Sequence, residues 1–242
     1  MAITINSNSV AASASMFLQR NNSRLEQSLA RLSSGSKLIN ASADPGGLAV
    51  SMKLSAAINR QTAAITNVQN AISFVQLQDG DLKAAAAIVD RMAALRSMFD
   101  DVTKSTIDKD NYNTEFQGLR ASLSDALGET FNDISLFSST ESGGMTVYAS
   151  PTGASGIGIE MGKLNLTAAL NTFTTDTSSE AATNAEALFG SSNTGGNASL
   201  GDFSSANLTE AITGVASLRA ESGAITSRLT FSQDRLSSSQ SE

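Results

Sequence analysis

Between Leu32 and Leu54 the chain reads LSSGSKLINASADPGGLAVSMKL. Apolar residues at helical spacing run into this stretch and out of it, so its interior determines whether the chain forms one helix here or two. Gly35 follows Leu32, the last apolar position of the upstream seam, and a glycine just past a helix end takes the left-handed cap conformation without a Cβ clash. The first helix is therefore expected to stop at about Ser34. Asp44-Pro45 marks a new start, because the Asp carboxylate accepts from free backbone N–H groups. Proline suits the first helical position, where its missing donor had no partner. The stretch reads as a joint built from Gly35, Asp44 and Pro45. Gly46 and Gly47 would let an anion approach the new N-terminus, but no phosphate-loop Lys-Ser or Lys-Thr follows them.

Downstream of the joint, alternating steps of four and three select Leu54, Ile58, Gln61, Ile65, Val68, Ile72, Val75, Asp79 and Leu82, and then Ile88, Met92, Leu95 and Phe99. This is a coiled-coil seam, and it predicts one helix from Pro45 to near Phe99, about 80 Å long at ~1.5 Å per residue. A second helix carries Tyr112, Phe116, Leu119, Leu123 and Leu127 after the polar connection Thr103 to Asp110, and should fold back on the first. Near the C-terminus Ala211, Val215, Leu218, Ser222, Ile225, Leu229, Ser232 and Leu236 repeat the seam. Upstream of the joint lies a shorter one, Leu18, Leu25, Leu29 and Leu32. Between Phe137 and Phe203 the composition shifts to Gly, Ser, Thr and Asn. Strand-like pieces at Met145 to Tyr148 and Ile157 to Met161 are joined by SPTGASG and read as a hairpin. Glu180 to Phe189 suits a short helix, and GSSNTGGNASLGD a flexible loop. The fold class expected is mainly α: a long antiparallel coiled-coil or bundle spoke, a small β-hairpin region and a short variable insert.

Composition restricts the chemistry. The chain has 242 residues, no Cys and no His. Cys/His zinc sites, cysteine nucleophiles, histidine triads and disulfides are all excluded at once. Charged residues make up 16% and aromatics 5%, which suits helices packed through small side chains. A net charge of -7 without a basic cluster argues against nucleic acid. The first twenty residues have neither a basic start nor a continuous apolar run, so they do not read as a secretory signal, and no stretch is apolar enough to span a bilayer. That leaves a cytoplasmic protein or one exported by a route that ignores such signals. Acidic pairs are poor catalytic candidates. Asp100 and Asp101 point to different sides of a helix, and Asp79-Gly80-Asp81 lacks the later ligands of a calcium loop. The expectation is no enzyme, no metal and no cofactor.

Several motifs together resemble the bacterial flagellins. Leu32-Ser33-Ser34-Gly35, Leu38-Ile39-Asn40, Ala43-Asp44-Pro45 and Gly47-Leu48-Ala49-Val50-Ser51 are similar to that family's N-terminal signature. Ile5-Asn6-Ser7-Asn8-Ser9 resembles its start and Phe131-Asn132-Asp133 its Phe-Asn-Gly near the end of the second helix. Leu218-Arg219-Ala220 with Ser227-Arg228-Leu229 resembles its returning helix. The resemblance implies a coiled-coil layer with the joint over 1–43, a helical spoke over 44–137, a hairpin and surface insert over 138–204, and the returning helix over 205–242. It implies a filament subunit that polymerises with its own copies for motility, leaves the cell through the flagellar type III export machinery and is placed under the filament cap. Its location would be the extracellular flagellum. The hook-filament junction protein shares the Leu-Ser-Ser-Gly joint, and a coiled-coil signalling protein such as a chemoreceptor shares the seams; Ile5 to Asn8 and Gly47-Leu48-Ala49 favour flagellin. The family continues past the returning helix with a terminal helix that pairs with the N-terminal one. This sequence stops at SSSQSE in mid-seam, so residues 1 to about 34 are expected to lack that partner. Recognition by the vertebrate innate flagellin receptor is implied through Arg91, Leu95 and Glu115, with Ala93 or Ala94 where the family has a second basic residue.

Overall fold

The computed structural model describes residues 9–42, 44–138, 144–162, 164–170 and 199–241. The chain divides into two compact units, Met1–Asn59 and Arg60–Glu242. In the first, α1 spans Ser9–Ser34. Gly35 at φ 63° ends it in the left-handed region, where a side chain would be strained. The α2 helix spans Pro45–Phe99, 55 residues, and continues into the second unit. No described residue of the first unit is buried.

In the second unit α2 is joined by α3 (Thr106–Leu127) and the long C-terminal helix, here α5 (Ser205–Ser241). Ser105 caps α3: its hydroxyl accepts from Asp108 N–H while the Asp108 carboxylate accepts from Ser105 N–H, a reciprocal capping box. Ser204 plays the same part for α5, accepting from Asn207 N–H at 3.1 Å. Two small antiparallel hairpins follow α3. The first pairs β1 (Thr130–Phe131) with β2 (Ile134–Ser135) through Asn132 and Asp133, both at positive φ. The second pairs β3 (Met145–Tyr148) with β4 (Gly158–Met161), with Met145 opposite Met161 and Tyr148 opposite Gly158. A short helix, α4 (Leu166–Leu170), lies against α5 at Gly214, where any Cβ would strike the Ala169 backbone carbonyl. The predicted helix over Glu180 to Phe189 lies outside the described residues.

The core is a seam in which small side chains recur among larger ones. Along α2 the buried residues Gln61, Ala64, Val68, Ala71, Val75, Gln78, Leu82, Ala85, Val89 and Met92 alternate steps of three and four, and Phe74 and Leu95 add to them. Along α5 the buried set is Leu208, Ala211, Val215, Ser222, Ile225, Leu229 and Leu236. Burying one leucine fully is worth about 2 kcal/mol over leaving it exposed. Alanine at alternate seam positions lets the helices approach closely. Phe116 and Phe203 meet at a tilt with centroids 5.3 Å apart, and Phe74 meets the edge of Phe131 at 6.0 Å, which fastens the first hairpin to α2.

The seam read from sequence needs correction on α2. Gln61, Val68, Val75 and Leu82 are buried, but Ile65 and Ile72 are half-buried flanks of Ala64 and Ala71, and Asp79 lies at the edge beside buried Gln78. Leu54 and Ile58 precede the buried part and are 61% and 38% exposed. The reason is steric: at the point of closest helix approach only a small residue fits, so the larger Ile covers the side.

Candidate assembly surfaces

The joint is built by backbone donors meeting a carboxylate. Asp44 Oδ1 accepts from Gly47 N–H at 2.9 Å, and the Asp44 carbonyl accepts from Leu48 N–H at 3.1 Å, with Pro45 in the first turn between them. A Cβ on Gly47 would collide with the Asp44 carboxylate, so the glycine leaves room for the cap. Gly35 supplies the left-handed residue at the other end of the connection.

On α1 the residues Leu18, Leu25, Leu29 and Leu32 are all well exposed, Leu32 at 82%. Val10, Met16 and Phe17, which the sequence reading did not single out, are exposed beside them. An amphipathic helix with its apolar stripe in water is poorly stable by itself, so this stripe is a surface made to be covered. In the second unit Val68, Val75, Ile225, Leu229 and Leu236 are buried and Leu218 is half-buried. These residues hold the unit together and are not free to meet a partner.

The three residues proposed to meet the innate receptor divide. Arg91 and Glu115 form a bidentate ion pair between α2 and α3, Nε to Oε1 at 2.6 Å and Nη2 to Oε2 at 3.0 Å, with both side chains about half exposed. The Arg91 hydrogen bond holds the Glu115 carboxyl below the usual range. Leu95 is completely buried. It is a core residue, and the expectation that it contacts a receptor is corrected: its place facing the seam takes its side chain out of reach.

A groove of about 500 Å³ opens over the first hairpin, floored by Phe74, Phe131, Met145 and Met161 with Asn67 and Asn70 on its rim. Nothing in the local sequence marks it, because it is lined from α2 and all four strands together. Of the acids weighed for catalysis, Asp79 pairs with Arg219, Asp100 pairs with Arg96 at 2.9 Å and Asp101 accepts from Thr103, while Asp81 stands apart with its carboxyl pushed above the usual range by burial and the Glu129 charge. Among the described residues no three of His, Cys, Asp and Glu gather in a way that would hold a metal ion. No helix among them is long and apolar enough to cross a membrane.

Residues 5–142, more than half of the chain, match the family model of the bacterial flagellin N-terminal helical region. The chain belongs to the bacterial flagellin family. Relatives include polar flagellin C of Vibrio parahaemolyticus, 31% identical over 119 residues, which are 49% of this chain and 31% of that protein. A flagellin of Listeria monocytogenes is 28% identical over 143 residues, 59% of this chain and 50% of its own. A flagellin of Escherichia coli O127:H6 is 27% identical over 190 residues, 78% of this chain and 34% of its own. This flagellin chain thus spans about a third of the length of the Vibrio relative. The matched region contains α1, the joint, α2, α3 and the first hairpin, and the helical fold is the one the family implies.

Proposed function

We propose that this chain is a structural, non-catalytic subunit of the flagellar filament, polymerising with copies of itself for motility. The observation that carries the reading is the apolar stripe of α1, exposed from Met16 to Leu32 in a chain of the flagellin family. Neighbouring subunits supply the apolar surface that covers Leu18, Leu25, Leu29 and Leu32. The subunit is secreted through the flagellar type III export machinery and placed under the filament cap at the outer end, a reading supported by family membership. Arg91 and Glu115 form the exposed part of the surface offered to the vertebrate innate flagellin receptor. Substituting Leu25→Ser together with Leu29→Ser tests the central step. Filaments should be lost while the thermal melting of the second unit is unchanged, since neither residue is buried. Filaments of normal yield from this variant would overturn the reading.

A further inference from the structure

The seam between α2 and α5 carries apolar residues at most heptad positions. Such a seam does not by itself determine which heptad faces which: sliding one helix by seven residues again places apolar side chains against apolar side chains. Three polar contacts break the repeat. Gln61, 8% exposed, donates from Nε2 to the Leu236 carbonyl at 2.6 Å. Ser222, 1% exposed, donates a long hydrogen bond from Oγ to the Val75 carbonyl at 3.5 Å. Arg219 grips Asp79, Nε to Oδ1 at 2.9 Å and Nη2 to Oδ2 at 3.4 Å.

All three share one antiparallel alignment. From Gln61 to Val75 is two heptads along α2, and from Leu236 back to Ser222 is two heptads along α5. Asp79 lies one turn past Val75, and Arg219 lies about one turn before Ser222. A slip of one heptad sets Val215 or Leu229 where the small Ser222 meets the Val75 backbone, overfilling a tight contact. The same slip moves Arg219 beside Ile72 or Ala86 and strips Asp79 of its cation.

We propose that Gln61, Ser222 and the Arg219–Asp79 pair are a register lock, positioning residues that select one alignment of α2 and α5 and contribute specificity rather than stability. Taking the Gln61 amide out of water offsets most of what its contact returns, and the Arg219–Asp79 pair, with both side chains about 40% exposed, adds little stability in water. Replacing them therefore keeps the melting temperature while admitting other alignments. The chain's lack of cysteine makes the test clean. Thr62→Cys and Gln240→Cys, exposed positions whose native side chains touch at 3.0 Å, carry nitroxide labels, and the label separation is measured by pulsed electron resonance. With the lock intact, one separation is expected. In the Gln61→Leu, Asp79→Ala, Ser222→Ala variant a second population should appear, displaced by roughly 10 Å, the rise of one heptad. Its helicity and melting temperature should stay near those of the parent. A single unchanged separation in the variant would overturn the proposal. So would lost helicity or a large fall in melting temperature, since either would make the contacts stabilising rather than selective.

Discussion

Asp133 sits at φ 66° directly after Asn132 at φ 50°, so both central residues of the first hairpin turn occupy the left-handed region. This turn follows the strand twist, and Asn with Gly fits it best; an Asp at the second place is held there at a cost of about 1 kcal/mol. Asp133→Gly is therefore expected to raise the unfolding free energy by about 1 kcal/mol in urea denaturation. An unchanged or lower value would show that the Asp side chain compensates. Asp81 makes a second prediction. Burial, and then the nearby Glu129 charge, push its carboxyl above the usual range, and its Oδ2 has no hydrogen-bond partner among the described residues. The folded chain then holds the Asp81 proton more tightly than the unfolded chain does. Its contribution is present below the ordinary value of 3.8 and is lost as pH rises through the raised value. Asp108 and Glu115, held low by the Ser105 and Arg91 hydrogen bonds, act oppositely: their contribution is present at neutral pH and is lost as pH falls through their lowered values. Asp81→Asn should raise the melting temperature at pH 7 and remove the gain seen on mild acidification. A parallel pH profile in parent and variant would contradict the assignment.

At the scale of elements, the joint and the docking of α4 make separate predictions. Asp44→Ala removes the acceptor for Gly47 N–H and should cost about 1 kcal/mol. Gly47→Ala should cause a comparable loss by displacing the same carboxylate. If helix-start amides near Gly47 and Leu48 exchange no faster in either variant, the cap is not what starts α2. Gly214→Ala pushes the α4 backbone off α5, and its effect should be local: faster exchange over Leu166–Leu170 with α2 and α3 unchanged. These signals differ in how far they can be read from the chain alone. Gly35, Asp44 and Pro45 act on their own backbone, so their meaning is present in the local sequence. The α5 seam is legible too, because its large apolar residues occupy the contact positions themselves. On α2 they do not: Ala64 and Ala71 face the partner while Ile65 and Ile72 stand beside them, and a count of large apolar residues lands one position off. Leu95 stands on the seam read from the sequence and is buried there, whereas polar Gln78 is buried one place before Asp79, the position that seam selects. The strands β1 and β2, two residues each, carry too little pattern to be seen, and the groove above them is assembled from five elements.

The whole molecule combines a unit with a continuous buried seam and a unit with no buried described residue. Stability should follow that division. The seam residues of α2, α3 and α5 exchange their amides only with global unfolding, whereas α1 relies on its own hydrogen bonds and opens readily. If, as proposed, further copies cover the apolar face of α1, that helix must gain protection on assembly. Hydrogen exchange over Ser9–Ser34, measured on the protein first as monomer and then in filaments, reads that gain. Exchange near the rate of an unfolded peptide in the monomer, slowed by at least about a hundredfold in the filament, is the predicted result; a ratio of that size corresponds to ~3 kcal/mol gained on assembly. Equal exchange in both states would contradict the claim and place the polymer contacts elsewhere on the chain.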